Sequence, residues 1–396
     1  MIAYNWNDLT LFESWRIFYN KHSIYFWNYF KFNKKKNYII MKKILIVSGG
    51  SGGHVIPSLS IYDHLKDNFE VYLVSDQRGA KYINKNNYQY TLIEVPNLFS
   101  KTYLLPLNLI KFLISIIKSY NYLNKNKIDL LISVGGYISF PLSIASWLLK
   151  IKIILFEPNS VLGRANNFMI RLSKKIICYD KNIKFFPNKY VKKIYLINPI
   201  LRKKFYNIKK NKNKDFDHIK KILIIGGSQG AEFFDKKLTK VILKISKKLK
   251  IEVHQQIHDK KNKNFIEQEY INNGIKYKLF DFDENLFENL NNYDLAITRS
   301  GASAISELSQ LCIPFIAIPF PFAKDNHQFY NAKYYENLNC SWLINQKEID
   351  EESFSNTLIK IFNEKDDYFN KKKNLEKISN QSSWNTVNRK IIRSYK

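Results

Sequence analysis

The stretch KKILIVSGGSGGHVIPS, residues 42–58, decides the fold. A nearly continuous apolar run at residues 44–48 meets a glycine-rich turn, and a helical pattern begins around Pro57. A buried parallel strand, a sharp turn and a helix have this order of residue types. The arrangement returns as KKILIIGGSQGA at residues 220–231. Two such openings predict two Rossmann-like halves.

Apolar runs of strand length alternate with helical patterns along the rest of the chain. This alternation predicts an α/β protein with doubly wound parallel sheets. Helices are predicted at residues 57–66 and 231–248. Besides the first strand, strands are predicted at residues 70–75, 130–134, 151–156, 222–225, 251–256, 295–298 and 313–318.

The pattern divides the chain into four segments. Residues 1–40 are rich in aromatic side chains, and our hypothesis is that translation starts at Met41, so that they are a dispensable or untranslated extension. The alternative is an aromatic and basic anchor at a membrane interface. We expect a first domain at 41–198, a second at 199–373 and a terminal helix at 374–396 that returns to the first domain.

The chain is strongly basic, with 63 Lys and Arg against 34 Asp and Glu, a formal net charge of +29. Its 396 residues suit two domains, and a hydrophobic content of 45% argues against disorder. The lysines are spread along the whole chain with Asn, Ile and Tyr, which indicates a compositional bias. A nucleic-acid-binding protein would instead cluster its basic residues, so no nucleic-acid partner is predicted.

Cysteine usage and hydropathy exclude two further classes of protein. Cys178, Cys312 and Cys340 lack paired spacing, which argues against a disulfide framework or a zinc site. No apolar run reaches the roughly 18 residues that a spanning helix needs. The most apolar helical segment, residues 103–120, is broken by Pro106 and Lys111.

His54 is the distinctive residue of the first glycine-rich turn. The turn is neither GxGxxG nor a P-loop, which argues against dinucleotide and P-loop nucleotide binding, although Asp76 ends the next strand as a ribose-binding acid would. A histidine there can act as a general base or as a partner of a phosphate. The alternative role is capping of the helix.

Other turns follow predicted strands and share the edge at which such sheets bind ligands. Gly226, Gly227 and Ser228 can wrap a diphosphate, and Arg299 precedes a helix N-terminus with Glu307 in its first two turns. A cation, amide donors and a ribose acceptor are what a nucleoside diphosphate needs. Further candidates are VGGY (134–137), FEPN (156–159), where a turn signal is the alternative, and PFPFAKDNHQFYNA (319–332).

Two apparent metal motifs are rejected. The DFD triplets at 215–217 and 281–283 have the spacing of metal-binding glycosyltransferases, but the first lies in a Lys/Asn-rich stretch and the second lacks acidic neighbours. His254 and His258 would not share a face on a strand that runs into a turn. No metal and no cofactor are predicted.

Taken together, GGSGGHVIPSL, VGGY, GGSQGA and RSGASAISE resemble the bacterial N-acetylglucosaminyltransferases of peptidoglycan synthesis, the MurG family. The resemblance runs in order from Met41 to the C-terminus. It implies a GT-B fold, two Rossmann-like domains facing each other across a cleft, at the cytoplasmic face of the inner membrane. It also implies inverting transfer of GlcNAc from UDP-GlcNAc to undecaprenyl-pyrophosphoryl-MurNAc-pentapeptide (lipid I), giving lipid II. The alternative is a GT-B transferase that moves a UDP-sugar to another lipid acceptor.

The resemblance also implies the residues of the donor site, with Glu307 on the ribose and Asp283 at the uracil. Two departures stand out: Phe156 and Pro158 replace polar residues of the family motif, and Arg202 is displaced by one position from the family arginine. The expected UDP-GlcNAc contacts are Ser51, Gly52, Gly53, Asn159, Arg202, Ser228, Asp283, Arg299, Ala302, Ser303, Ala304, Ile305, Ser306, Glu307 and Gln328.

The expected mechanism has His54 take the proton of the MurNAc 4-hydroxyl as that oxygen attacks the GlcNAc anomeric carbon. Loop amides and Ser228 hold the departing UDP without a required metal. The apolar residues of segment 103–120, flanked by Lys101, Lys111 and Lys118, are expected to enter an anionic leaflet. An ordinary core-facing helix is the alternative.

Overall fold

Two parallel β-sheets organise the part of the chain that the computed structural model describes, residues 42–96, 105–208, 219–227, 231–257, 259–281 and 293–395. The segment at residues 1–40, Lys101, Asp215, His258 and the donor-site candidates Ser228 and Asp283 lie outside these ranges.

The first sheet has seven parallel strands in the order β3-β2-β1-β4-β5-β6-β7. Its strands are β1 Lys43–Val47, β2 Glu70–Ser75, β3 Thr91–Leu92, β4 Leu130–Ser133, β5 Lys152–Glu157, β6 Lys175–Cys178 and β7 Ile194–Leu196. Its helices are α1 Gly52–Leu65, α2 Gln77–Ala80, α3 Leu105–Asn126, α4 Ser139–Leu148 and α5 Arg164–Met169. The strand order reverses between β1 and β4, the place where doubly wound sheets bind ligands.

The second sheet repeats this order in six parallel strands, β10-β9-β8-β11-β12-β13. Its strands are β8 Lys220–Ile225, β9 Ile251–Gln256, β10 Lys276–Phe280, β11 Leu295–Thr298, β12 Phe315–Ala317 and β13 Ser341–Leu343. The helices from residue 203 onward are α6 Lys203–Asn207, α7 Ala231–Phe233, α8 Thr239–Ser246, α9 Lys260–Asn272, α10 Ala302–Gln310, α11 His327–Asn337, α12 Glu351–Asn363, α13 Lys365–Asn380 and α14 Trp384–Ser394.

Both faces of the central strands are buried, which explains their continuously apolar sequences. Ile44 and Ile46 of β1 pack into one hydrophobic cluster, while Leu45 and Val47 pack into another on the opposite face. Full burial of each such side chain contributes about 1.5–3 kcal/mol. The prediction of two doubly wound Rossmann-like domains is confirmed.

All the predicted strands are present, and two predicted helices differ in their bounds. The helix predicted at 57–66 begins at Gly52, so Pro57 lies inside it and not in its first turn. The helix predicted at 231–248 contains a π-helical turn, Phe234–Leu238, and ends at Ser246. Five of the described strands were not predicted: β3, β6, β7, β10 and β13. Among them β10 alternates exposed and half-buried side chains, as an edge strand does.

The chain passes between the two sheets near residues 197–207 and again before α14. Phe205 of α6 packs into a core of the second sheet, whereas Val387 and Ile391 of α14 pack into a core of the first. At the start of α14, Trp384 stacks on the buried ring of His64 with centroids 3.6 Å apart. The terminal helix is therefore fastened to α1.

Candidate active site at the carboxyl ends of the sheets

The first glycine-rich turn is shaped by the carboxylate of Asp76. Its Oδ1 accepts hydrogen bonds from the amides of Gly50, at 2.9 Å, and Gly79, at 2.7 Å. Gly50 has φ +84°, a conformation that favours glycine. Asp76 therefore organises the turn and caps α2, which leaves the weak prediction of a ribose-binding acid without support.

The amides that open α1 point away from their own helix. Those of Ser51, Gly52 and Gly53 donate to no acceptor among the described residues. Such amides and the positive end of the helix dipole favour an anion. The three residues predicted to contact the donor thus lie at one helix N-terminus, beside the end of β1.

His54, on the first turn of α1, is oriented by the end of β4. Its Nδ1 lies 3.0 Å from the carbonyl oxygen of Val134. Because a carbonyl only accepts, Nδ1 carries the hydrogen, and in the neutral ring Nε2 then keeps its lone pair. No hydrogen bond to Nε2 comes from the residues that the structure describes. His54 is therefore not a helix cap: it is a half-buried imidazole with a basic nitrogen available.

The loop after β5 is organised by Glu157, which is buried. One carboxylate oxygen accepts from the amide and the side chain of Asn159, and the other from Gly163 and Asn166. Glu157 therefore fixes the conformation of the loop that carries Asn159. Glu157 thus has the structural role in a turn that the alternative interpretation of FEPN gives it. Asn159 instead contacts Asn331 of the second domain.

The turn after β8 places Gly227 beside β9. Gly227 has φ +69°, and its amide donates to Oε1 of Gln256 at 3.1 Å. A π-helical turn follows within the next helix, and such turns occur frequently at functional sites. Ser228 lies outside the described residues, so its hydroxyl stays a predicted contact.

Helix α10 divides the predicted donor contacts into two groups. Ala302, Ser303 and Ala304 form its half-buried first turn, and no side chain caps it at Gly301. Ile305 and Ser306 are buried, with Ile305 in the second-domain core and the Ser306 hydroxyl 3.3 Å from that of Tyr335. The first turn can present its amides to a diphosphate, whereas the next two residues fix the helix in place.

Glu307 is buried and forms an ion pair with Arg202. The shortest nitrogen–oxygen distance is 3.6 Å. Burial raises the pKa of Glu307 to about 7, although the positive charges of Arg202 and Lys204 oppose the shift. Arg202 comes from the segment that joins the sheets, immediately before α6. The structure thus brings two predicted site residues from distant motifs together.

Arg299 is enclosed by aromatic rings. Its guanidinium lies 4.7–5.7 Å from the ring centroids of Phe233, Phe234 and Phe320. It donates to the carbonyls of residues 318 and 319 and to the side chain of residue 346. Burial lowers its pKa to about 10, so it stays charged at neutral pH. These bonds fasten the loop after β12; a direct contact to phosphate remains a prediction.

Gln328, on the first turn of α11, has one half of its amide engaged. Its Oε1 accepts from the backbone amide of Phe320 at 2.9 Å. The Nε2 group has no hydrogen-bond acceptor within the described ranges, so it can donate to a sugar hydroxyl. One turn further along the same helix lies Asn331, which sequence analysis did not single out although it lies within the quoted motif at 319–332.

Comparison with known families assigns both halves of the chain. Residues 44–178 match the glycosyltransferase family 28 N-terminal domain, and residues 221–385 match its C-terminal domain. The chain belongs to glycosyltransferase family 28. The family resemblance proposed from the motifs is therefore confirmed, and with it a glycosyltransferase assignment.

Relatives of this family 28 protein match over nearly their whole length. A protein of Pelagibacter ubique is 46% identical over 351 residues, which cover 89% of this chain and 98% of that protein. A protein of Rickettsia bellii is 34% identical, covering 85% and 95%. Both are named UDP-N-acetylglucosamine–N-acetylmuramyl-(pentapeptide) pyrophosphoryl-undecaprenol N-acetylglucosamine transferase.

Solved structures agree on the fold. Acinetobacter baumannii MurG superimposes with a TM-score of 0.70 at 20% identity, covering 89% of this chain and 99% of that one. The UDP-GlcNAc 2-epimerase of Neisseria meningitidis bound to UDP-GlcNAc gives 0.59 at 13% identity, with coverage of 89% and 99%. At these identities the likeness establishes a common two-domain GT-B architecture.

Proposed function

We propose that the chain transfers GlcNAc from UDP-GlcNAc to lipid I and forms lipid II, with inversion of the anomeric centre. The observation that carries the substrates is the 46% identity to a transferase of that name across 98% of its length. The two glycine-rich turns and the helix N-termini beside them supply amide donors for the pyrophosphates of donor and acceptor.

The reaction is a single displacement in which His54 is the base. The MurNAc 4-oxygen attacks the anomeric carbon on the face opposite UDP, and its proton passes to Nε2 of His54 as the new bond forms. UDP leaves with the bonding electron pair, and amides at the start of α10 stabilise its charge. The His54 imidazolium then releases its proton to solvent. The Val134 carbonyl supports this role because it fixes the tautomer with a basic Nε2.

In this proposal the donor contacts residues of both domains: Ser51, Gly52, Gly53, Asn159, Gln328, Glu307 and the first turn of α10. The Glu307 carboxylate would accept hydrogen bonds from the ribose diol, and the positive charge of Arg202 would favour its ionised form. In the same assignment Arg299 acts on the diphosphate through the loop that it fastens. Ser228 and Asp283 keep the roles that the family resemblance implies.

The enzyme is also proposed to work at the cytoplasmic face of the membrane as a peripheral protein. Helix α3 has its polar and apolar sides reversed relative to a core helix, since Asn108, Ser115 and Ser119 are buried. Within the described chain, no helix is long and apolar enough to cross a membrane. The exposed large apolar residues of α3 are Leu105, Leu107, Leu109, Ile110, Leu113, Ile114 and Ile117.

An apolar face of this kind, with Lys111 and Lys118 on the same helix, is suited to the interface of an anionic leaflet. Trp147 and Leu148, at the end of the neighbouring helix α4, are exposed as well. The alternative of an ordinary core-facing helix does not fit residues 105–117, whose large apolar side chains are mostly exposed, although Leu123 near the end of the helix is buried in the core.

The test is transfer of radiolabelled GlcNAc from UDP-GlcNAc to a short-chain lipid I analogue, with UDP release measured in parallel. We expect one UDP released for each GlcNAc transferred, and no transfer without acceptor. Transfer to a different lipid acceptor in preference to lipid I would refute the proposed acceptor.

A further inference from the structure

One buried amide joins the carboxyl ends of the two sheets. Asn331 of α11 is 3% exposed. Its Nδ2 donates to Oδ1 of Asn159 at 3.0 Å and to the carbonyl of Ser300 at 3.1 Å, and its Oδ1 accepts from the backbone amide of Ser160 at 2.8 Å. Two of these bonds, to Asn159 and Ser160, cross from the second domain to the first, and the third holds the Ser300 carbonyl within the second domain.

The partners of Asn331 permit a single orientation of its amide. The Ser160 amide can only donate and the Ser300 carbonyl can only accept, so oxygen and nitrogen cannot exchange places. Asn159 is oriented in the same way, since its Nδ2 donates to the Glu157 carboxylate at 2.9 Å. The result is a hydrogen-bond network in which Asn331 donates to Ser300 on one side and to Asn159 on the other, and Asn159 donates in turn to Glu157.

These hydrogen bonds link the helix that is proposed to bind the donor diphosphate to the domain that carries the proposed base. Ser300 precedes Gly301 and the first turn of α10, where the donor diphosphate is proposed to bind. Asn159 and Ser160 follow β5 in the domain that carries His54. The position of α10 relative to the base is therefore set in part by the Asn331 side chain.

A second, exposed contact crosses the same boundary. Arg164 of α5 pairs with Asp325, just before α11, at 2.9 and 3.2 Å. Such exposed pairs contribute little to stability, because water screens their charges. The buried amide has the larger influence, because removing it leaves the amide of Ser160 and the carbonyl of Ser300 without their partner.

We propose that Asn331 is a positioning residue that holds the two domains in the arrangement in which His54 reaches the acceptor oxygen at the donor's anomeric carbon. The inference rests on the proposed transfer reaction. Asn331 itself is assigned no contact with either substrate. It therefore acts through Asn159 and through the loop that opens α10.

The test compares Asn331→Ala and Asn331→Asp with the unaltered enzyme. Aspartate has nearly the size of asparagine and opens no cavity, and it keeps an acceptor for Ser160, but it cannot donate to Ser300 or Asn159. We expect both variants to lower kcat at least tenfold. The affinity for UDP alone, measured by calorimetry, should change less than threefold, because the proposed UDP contacts lie mainly on the second domain.

A distance measurement reports the domain arrangement directly. Cys178, Cys312 and Cys340 are buried, so spin labels can be directed to Lys181→Cys in the first domain and Lys261→Cys in the second. We expect the interdomain distance distribution to broaden in both Asn331 variants. The matched control is Asn374→Ala, which removes an asparagine bond to the Asn339 carbonyl within the second domain and should leave distance and kcat unchanged.

The inference is overturned if kcat stays within threefold of the unaltered enzyme, or if kcat falls while the distance distribution stays the same. It is equally overturned if UDP affinity and melting temperature fall together with kcat, since that result indicates a general loss of folding. If the unaltered chain transfers no GlcNAc but the variants broaden the distribution, the proposed function fails and the domain-holding role stands.

Discussion

Gly135 and His54 contact each other across the two glycine-rich turns of the first domain. A β-carbon built on Gly135 would lie 2.9 Å from both Cε1 and Nδ1 of the His54 ring. The turn after β4 therefore approaches the His54 ring so closely that no β-carbon fits at position 135 without a shift of the ring. The same turn supplies the Val134 carbonyl that orients the ring.

Replacing His54 by alanine removes the proposed base. We expect kcat to fall by about 10²–10⁴, the range that general-base catalysis contributes, while UDP affinity changes little. The measurement is steady-state transfer to a lipid I analogue combined with calorimetric binding of UDP. Unchanged kcat in the variant would assign proton removal to another group.

The Gly135→Ala variant tests the position of His54 without removing it. We expect kcat to fall at least tenfold, because the new methyl group displaces the ring from the Val134 carbonyl. Gly274→Ala is the control: both glycines have a positive φ, +103° at Gly135 and +63° at Gly274, but the methyl group added at Gly274 meets no atom within 4 Å. Equal losses of kcat in the two variants would attribute the effect to backbone strain.

The buried carboxyl of Glu307 makes donor binding dependent on pH. With a pKa near 7, the group takes up a proton as the pH falls from 8 to 6, and it then loses acceptor capacity for the ribose diol. We expect UDP affinity to weaken by up to about tenfold per pH unit below 7. Calorimetric titration at several pH values measures this effect.

The Glu307→Gln variant should bind UDP more weakly and with a flat pH profile between 6 and 8. Glutamine keeps the shape and one acceptor oxygen, so the core around α10 stays filled. A variant whose affinity follows pH as steeply as the unaltered enzyme would place the titrating group elsewhere.

The sequence predicts the central strands of each sheet but misses the edge strands and the short inner strand β6. Strands such as β1 and β8 are buried on both faces, so their apolar runs are continuous and identify them. β3, with two exposed residues, and β10, with alternating lysines, have no such run. Local composition reports burial on both faces and carries little information about a half-exposed strand.

The candidate site divides in a similar way. Motifs reveal the glycine turns and His54, because turns and a titratable residue at a helix start have local signatures. Asn331 was missed because one asparagine in an asparagine-rich chain looks like any other, and its partner Asn159 is 172 residues away. The burial of Arg299 among three phenyl rings likewise depends on contacts that only the fold creates.

The outward face of α3 should control binding to membranes. Ile117, 60% exposed, is a suitable position for Ile117→Glu, which places a negative charge at an anionic leaflet. We expect flotation with vesicles of anionic phospholipid to fall severalfold, with transfer to a water-soluble acceptor analogue unchanged. Ile271→Glu is the matched control, since Ile271 is 53% exposed on α9 of the second domain. Equal flotation of both variants would exclude α3 as the contact.

The stack of His64 on Trp384 should make the stability of the folded chain sensitive to acid. Burial lowers the pKa of His64 to about 3, so the folded state keeps the ring neutral while the unfolded chain protonates it near pH 6.5. Stability from this group is thus complete above pH 6.5 and is lost as the pH falls toward 3, at up to about 1.4 kcal/mol per pH unit.

His64→Phe keeps a flat ring against Trp384 and removes the titration. Between pH 7 and pH 5, we expect the unaltered chain to lose about 2 kcal/mol more unfolding free energy than the variant, measured by urea denaturation at each pH. Because α14 is fastened to α1 by this stack, its protection against hydrogen exchange should fall first in acid. Parallel pH profiles for the two proteins would mean that His64 takes up its proton without disturbing the stack.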